Sequence, residues 1–229
     1  MSQPQDSIPN VLASRYASIA IRQVWSEDGK IRLERRLWVA VLKAQRDLGL
    51  EVPDAAIIAY ENHLDDVDLD SIRRREALNR HDVKARIEEF CALAGYEHVH
   101  KGMTSRDLTD NVEQYQILTS LQTMLPKYVR LIDRVRQRAV EWRDVVIVAR
   151  THHAAAQPTT MGKRLAAFGQ EMLLALHRLE SLIAAYPLRG LQGAVGTGLD
   201  QLTLFNGDAD KVAQLQQQKA QLQQGAGWW

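Results

Sequence analysis

Two apolar stripes at helical spacing, each longer than an ordinary globular helix, constrain this chain most. The first runs Leu108, Val112, Tyr115, Leu118, Leu121, Leu125 and continues through Val129, Ile132, Val135, Ala139 and Trp142. Recurrence every three or four residues is the period of an α-helix, and the pattern predicts one helix of about 38 residues, about 57 Å long. Pro126 is expected to kink or divide it, because proline lacks the N–H and its ring meets the preceding turn. The second stripe, Met161, Leu165, Phe168, Met172, Leu176, Leu179 and Ile183, stops before Pro187. Two such helices cannot cover each other's apolar faces alone. They demand further helices, from more chain or from other subunits.

Shorter helical patterns lie upstream. Leu33, Leu37, Trp38, Val41, Leu42 and Leu48 form one stripe, stopped by Gly49. Val83, Ile87, Phe90, Cys91 and Ala94 form another, stopped by Gly95. Brief helices are expected near 54–63 and 68–77, the first capped by Asp54 after Pro53. Val145–Val148 is β-branched and reads as a short strand or an extended connector. Glycines crowd residues 188–207, which read as a loop or short hairpin, and a last helix starts near Asp208. The chain closes on a glutamine-rich stretch and two tryptophans, Trp228 and Trp229. The fold class expected is all-α. A small helical domain spans 1–103, and 104–229 forms a partial bundle of long helices with a glycine-rich loop near 188–207.

Charge narrows the function. With 29 basic and 28 acidic residues the net charge is +1, which argues against bulk electrostatic binding of nucleic acid or an anionic membrane. A single cysteine, Cys91, excludes an internal disulfide framework and fits a reducing compartment. The start, MSQPQDSIPN, lacks the basic and apolar regions of a secretory signal. No apolar run approaches the roughly 18 residues needed to span a bilayer. A cytoplasmic location is the expectation.

Three clusters carry chemistry. Asn79-Arg80-His81-Asp82-Val83 opens a helix, where free N–H groups beside an arginine suit an anionic ligand. The plainer reading is that Asp82 caps the helix and Arg80 is solvated. His100-Lys101-Gly102-Met103-Thr104-Ser105 places two hydroxyls before the long helix, either as an ordinary cap or as partners for a carboxylate or phosphate. Arg150-Thr151-His152-His153 follows the apolar run and delivers a Thr-His pair to the mouth of a bundle, a workable placement for acid–base chemistry. His98 and His100 lack accompanying ligands at metal-site spacing, so no metal site is expected. Gly190–Gly198 lacks the Gly-Lys-Ser/Thr of a phosphate loop and the βαβ setting of a dinucleotide site.

Taken together and in order, these clusters resemble the adenylosuccinate lyase branch of the fumarase/aspartase superfamily. The residues that carry the likeness are Ser14-Arg15-Tyr16-Ala17-Ser18, Arg80-His81-Asp82-Val83 and Gly102-Met103-Thr104-Ser105…Asp110-Asn111. They continue with Arg150-Thr151-His152…Gln157-Pro158-Thr159-Thr160…Gly162-Lys163 and Arg189-Gly190…Gly193-Ala194-Val195-Gly196-Thr197. The resemblance implies β-elimination of fumarate from adenylosuccinate, giving AMP, and from the succinyl-carboxamide ribotide of purine biosynthesis. It implies His152 as general acid and His81 as a second catalytic histidine. Arg15, Tyr16, Arg80, Asp82, Thr104, Ser105 and Thr151 fall on substrate-binding positions. It implies no cofactor and no metal, a small nucleotide substrate, and a homo-oligomer, tetrameric in the family, built on a helix bundle.

Three departures accompany the likeness. Family members are roughly twice this long, and the Ser-Ser…Met-Pro…Lys…Asn-Pro signature of their catalytic serine loop is absent from these residues. Gly198 stands where some members carry a substrate-binding glutamine. The pattern fades from about residue 216. The expectation is a truncated lyase with the acid half of its site, impaired by itself. The alternatives are a non-catalytic helical assembly or regulatory module, and a different fumarate-releasing lyase.

Overall fold

The computed structural model describes residues 10–223, with side chains as far as residue 217. Trp228 and Trp229 lie outside the described residues. Helices dominate, so the all-α expectation holds, with one two-stranded ribbon added. The chain divides into two units. The first comprises residues 1–116 and 187–229, and the second residues 117–186.

In the first unit, two short helices that the sequence pattern did not announce come first: α1 (Val11–Arg15) and α2 (Ile19–Trp25). Each is capped by a side-chain oxygen, Asn10 and Ser18 respectively. α3 (Glu27–Asp47), α4 (Asp54–Asn62), α5 (Leu69–Asn79) and α6 (Asp82–Ala94) follow. Asp54 is the first residue of α4 and not its cap. Pro53 holds that position and offers no side-chain acceptor. Gly95 closes α6 in the left-handed conformation, as its place in the pattern predicts.

The core of this unit gathers Trp38, Leu42, Tyr60, Phe90, Leu108 and Val112. Leu191, Phe205 and Leu215 join it from the far end of the sequence. Rings of Tyr60 and Phe90 pack at 4.8 Å and those of Trp38 and Phe90 at 6.2 Å, within the range of favourable aromatic contact. Leu191 comes from the glycine-rich loop, Phe205 is the C-cap of α9 (Leu199–Leu204), and Leu215 lies on α10 (Ala209–Gln223).

α7 (Ser105–Glu141) is 37 residues long and unbroken, so Pro126 does not divide it. Its last 25 residues lie in the second unit, with β1 (Val146–Thr151), β2 (Ala154–Thr160) and α8 (Met161–Ala184). The strands form an antiparallel hairpin, Val146 opposite Thr160 and Thr151 opposite Ala154. Pro158 is tolerated because both strands of a two-stranded ribbon are edges. Tyr128 donates to the Met172 carbonyl at 3.2 Å, tying α7 to α8. Even so, Phe168 of the second stripe is 59% exposed and Val129 of the first 45%. The apolar stripes find only part of their cover within the chain, as their length predicts.

Candidate active site

His81 is fixed by backbone capping. Its Nδ1 accepts the Lys84 N–H at 3.1 Å, so the cap of α6 is His81 and not Asp82. A nitrogen that accepts carries no proton, so the neutral ring bears its proton on Nε2. That Nε2–H donates to no side chain or backbone group among the described residues, and the ring is half exposed. Arg80, just before it, ends α5 in the left-handed conformation with φ +55° and an exposed side chain. Asp82 is the first helical residue. It pairs with Arg86, whose other arm holds buried Glu34 at 2.5 Å.

Thr104 and Ser105 stand at the start of α7, and neither hydroxyl caps it. The Asp107 carboxylate does so, reaching back to the Thr104 N–H at 3.1 Å, half of a capping box. Both hydroxyls are left without a protein partner among the described residues. Asp107 also reaches across the sequence. Its Oδ1 accepts the Gln192 N–H at 2.9 Å and its Oδ2 the Gly193 N–H at 3.0 Å. One turn on, Asn111 accepts the Gly190 N–H and donates to the Gly190 carbonyl, each at 2.9 Å. Arg189 bonds Asp110 at 2.5 Å and Gln114 at 2.6 Å. The glycine-rich loop is therefore stapled to the first turns of α7, beside the two hydroxyls.

His100 belongs to the core. Its Nδ1 accepts the Trp38 indole N–H at 3.0 Å. Burial pushes its pKa down to about 4, opposed in part by Asp107 and aided by His81. The metal reading of His98 and His100 gains nothing: the described residues contain no group of three or more metal-capable side chains. A pH dependence follows. The unfolded imidazole titrates near 6.5, the folded one near 4. Above pH 6.5 the neutral ring contributes its full stability, and that contribution drains away as pH falls toward 4. The loss reaches at most about 3 kcal/mol. Urea midpoints at neutral and acidic pH should diverge more in the natural protein than in His100→Gln. Equal divergence refutes the assignment.

Arg15 ends α1 and Tyr16 caps its C-terminus, both exposed in the first unit. Thr151, His152 and His153 belong to the second unit. Thr151 ends β1, and the two histidines are the whole turn of the hairpin. Their φ angles are +45° and +64°. Positive φ at both positions is the mark of a type I′ turn, which favours Asn-Gly. Histidines there cost on the order of 1 kcal/mol each in backbone strain. The sequence therefore places imidazoles where local preference opposes them, and both are exposed.

A family model described as lyase matches residues 14–224. The chain belongs to this lyase family. Among curated relatives, adenylosuccinate lyase of Schistosoma mansoni is 37% identical over 210 residues, covering 90% of this chain and 44% of that protein. Adenylosuccinate lyase of Saccharomyces cerevisiae is 35% identical over 224 residues, covering 95% of this chain and 46% of that protein. The chain thus spans less than half the length of these relatives. Among solved structures, the 3-carboxy-cis,cis-muconate lactonizing enzyme of Pseudomonas putida matches with a TM-score of 0.76 at 23% identity, covering 90% of this chain and 49% of that one. Fumarate lyase from Mesorhizobium sp. BNC1 matches with a TM-score of 0.75 at 22% identity, covering 87% and 47%. These structural matches speak to the fold. Among the described residues, no helix is long and apolar enough to cross a membrane.

Proposed function

We propose that this chain carries part of an adenylosuccinate lyase active site, releasing fumarate from adenylosuccinate and from the related succinyl-carboxamide ribotide. The observation that carries this reading is the strained His152–His153 turn, which spends backbone energy on presenting imidazoles, within a chain related to adenylosuccinate lyases. In this reading His152 protonates the departing nitrogen, with Thr151 beside it. His81, a donor through Nε2, serves as the second catalytic histidine near the nucleotide phosphate. Arg15, Tyr16, Arg80 and Asp82 contact the nucleotide. Thr104 and Ser105 take a carboxylate whose charge grows as the Cβ proton leaves. The substrate is a small nucleotide, the reaction needs no cofactor, and the working form is a cytoplasmic homo-oligomer, a tetramer. The exposed apolar residues of α7 and α8 support assembly.

The serine-loop signature is not among these 229 residues. The polypeptide alone is therefore expected to bind substrate yet release fumarate several powers of ten more slowly than a full-length relative. The informative variant replaces His152→Asn together with His153→Gly, which suits the type I′ turn while removing both imidazoles. The hairpin should melt no earlier, and residual fumarate release should vanish. Unchanged release, or release matching a full-length relative, contradicts the reading. A non-catalytic assembly module predicts retained self-association, seen by light scattering, with no nucleotide binding at all.

A further inference from the structure

We propose that Asp107 is a positioning residue. It sets where Thr104 and Ser105 stand relative to the loop segment 189–193, and through that geometry it governs carboxylate binding. The proposal rests on the reading of Thr104 and Ser105 as carboxylate-binding hydroxyls.

Asp107 is fully buried and forms no ion pair among the described residues. A lone buried carboxylate is unfavourable unless hydrogen bonds replace the lost water. Three backbone N–H groups do so, from Thr104, Gln192 and Gly193, at 2.9–3.1 Å. The start of α7 adds its positive dipole end. These bonds engage both oxygens and the carboxylate is fully buried, so Asp107 holds backbone and does not reach substrate. Its oxygens accept from two segments, Thr104 three residues back and Gln192 and Gly193 85 and 86 residues on, so one of its three donors is the backbone of Thr104 itself. Moving this carboxylate moves the hydroxyl pair and the loop together.

Asparagine at this position keeps the size and loses the function. Whichever way its amide turns, an NH2 group replaces an oxygen that now accepts, setting donor against donor. The fold should survive, because Asn111 still holds Gly190, and Arg189 still holds Asp110 and Gln114. The effect is local to Thr104, Gln192 and Gly193.

The test uses the full chain, amide hydrogen exchange, and titration with fumarate. In Asp107→Asn, exchange at Thr104, Gln192 and Gly193 should quicken about 100-fold while core amides around Trp38 stay unchanged. Fumarate affinity should fall about tenfold. Ser105→Ala should weaken fumarate without altering exchange at Gln192 and Gly193, which separates holding the site from touching the ligand. Unaltered loop exchange in Asp107→Asn overturns the anchor. Quickened exchange with undiminished fumarate affinity overturns the positioning role. A natural chain that takes up no fumarate overturns the lyase reading and the binding half of this proposal, while exchange still decides the anchor.

Discussion

Replacing Gly162 with alanine is expected to unfold the second unit at temperatures where the natural chain holds it. A Cβ on residue 162 would stand 2.3 Å from the Ala139 carbonyl oxygen and 2.5 Å from the Arg143 Cα. Both obstacles are backbone, so no side chain can rotate away. The crowding comes from how α8 begins. Its first N–H groups, which lack partners within their own helix, donate to the segment just after α7: Gly162 to the Trp142 carbonyl at 2.8 Å and Met161 to the Val145 carbonyl at 2.9 Å. An added methyl must break this junction or push α8 off α7. Overpacking of this kind costs about 3 kcal/mol, and a rigid backbone neighbour puts the site at or above that figure. Hydrogen exchange along α8 and a thermal melt followed through Trp142 measure it. A loss below about 1 kcal/mol would show that the two backbones are not so close.

Much of this architecture was legible because helices announce themselves. The α7 and α8 stripes gave length and end points nearly to the residue, since only a helix buries one face with a 3.6-residue period over so many turns. α1 and α2 escaped because five or seven residues hold too few turns to show a period. The second strand escaped for a different reason. Ala154–Thr160 has three alanines and a proline, and its turn is His-His, so neither strand propensity nor turn chemistry marks it. At the site, His81 and Asp82 were both visible, but which one caps depends on side-chain rotation that sequence does not encode. In sequence terms Asp107 is only an acid in the first turn of α7, a place where negative charge is common. Its main work, holding Gln192 and Gly193, falls on backbone N–H groups that leave no residue signature at all.

Arg35→Met should destabilise the first unit by about 3–5 kcal/mol, the usual penalty for orphaning a buried charge. Arg35 is fully buried. It bonds Glu89 at 2.5 Å, donates to the His63 carbonyl, and lies 4.7 Å over the Phe90 ring. Without it, Glu89 keeps only the Asp68 N–H at 3.1 Å. Pairing Arg35→Met with Glu89→Leu removes both charges and should recover most of the loss, because well-packed apolar residues often match a buried pair. Urea unfolding of the two single variants and the double variant forms a cycle that isolates the coupling. A single-variant loss under about 1 kcal/mol, or a double variant as weak as the sum of the singles, defeats the argument. The neighbouring pair explains why such an arrangement is kept. Glu34 and Arg35 on α3 meet Arg86 and Glu89 on α6 with signs crossed. Sliding or turning α6 to exchange these partners would set carboxylate against carboxylate and arginine against arginine. The crossed pairs therefore specify the register of α6, and His81 and Asp82 stand at its first turn. A core that stabilised as well with leucines would leave the position of those two residues less determined.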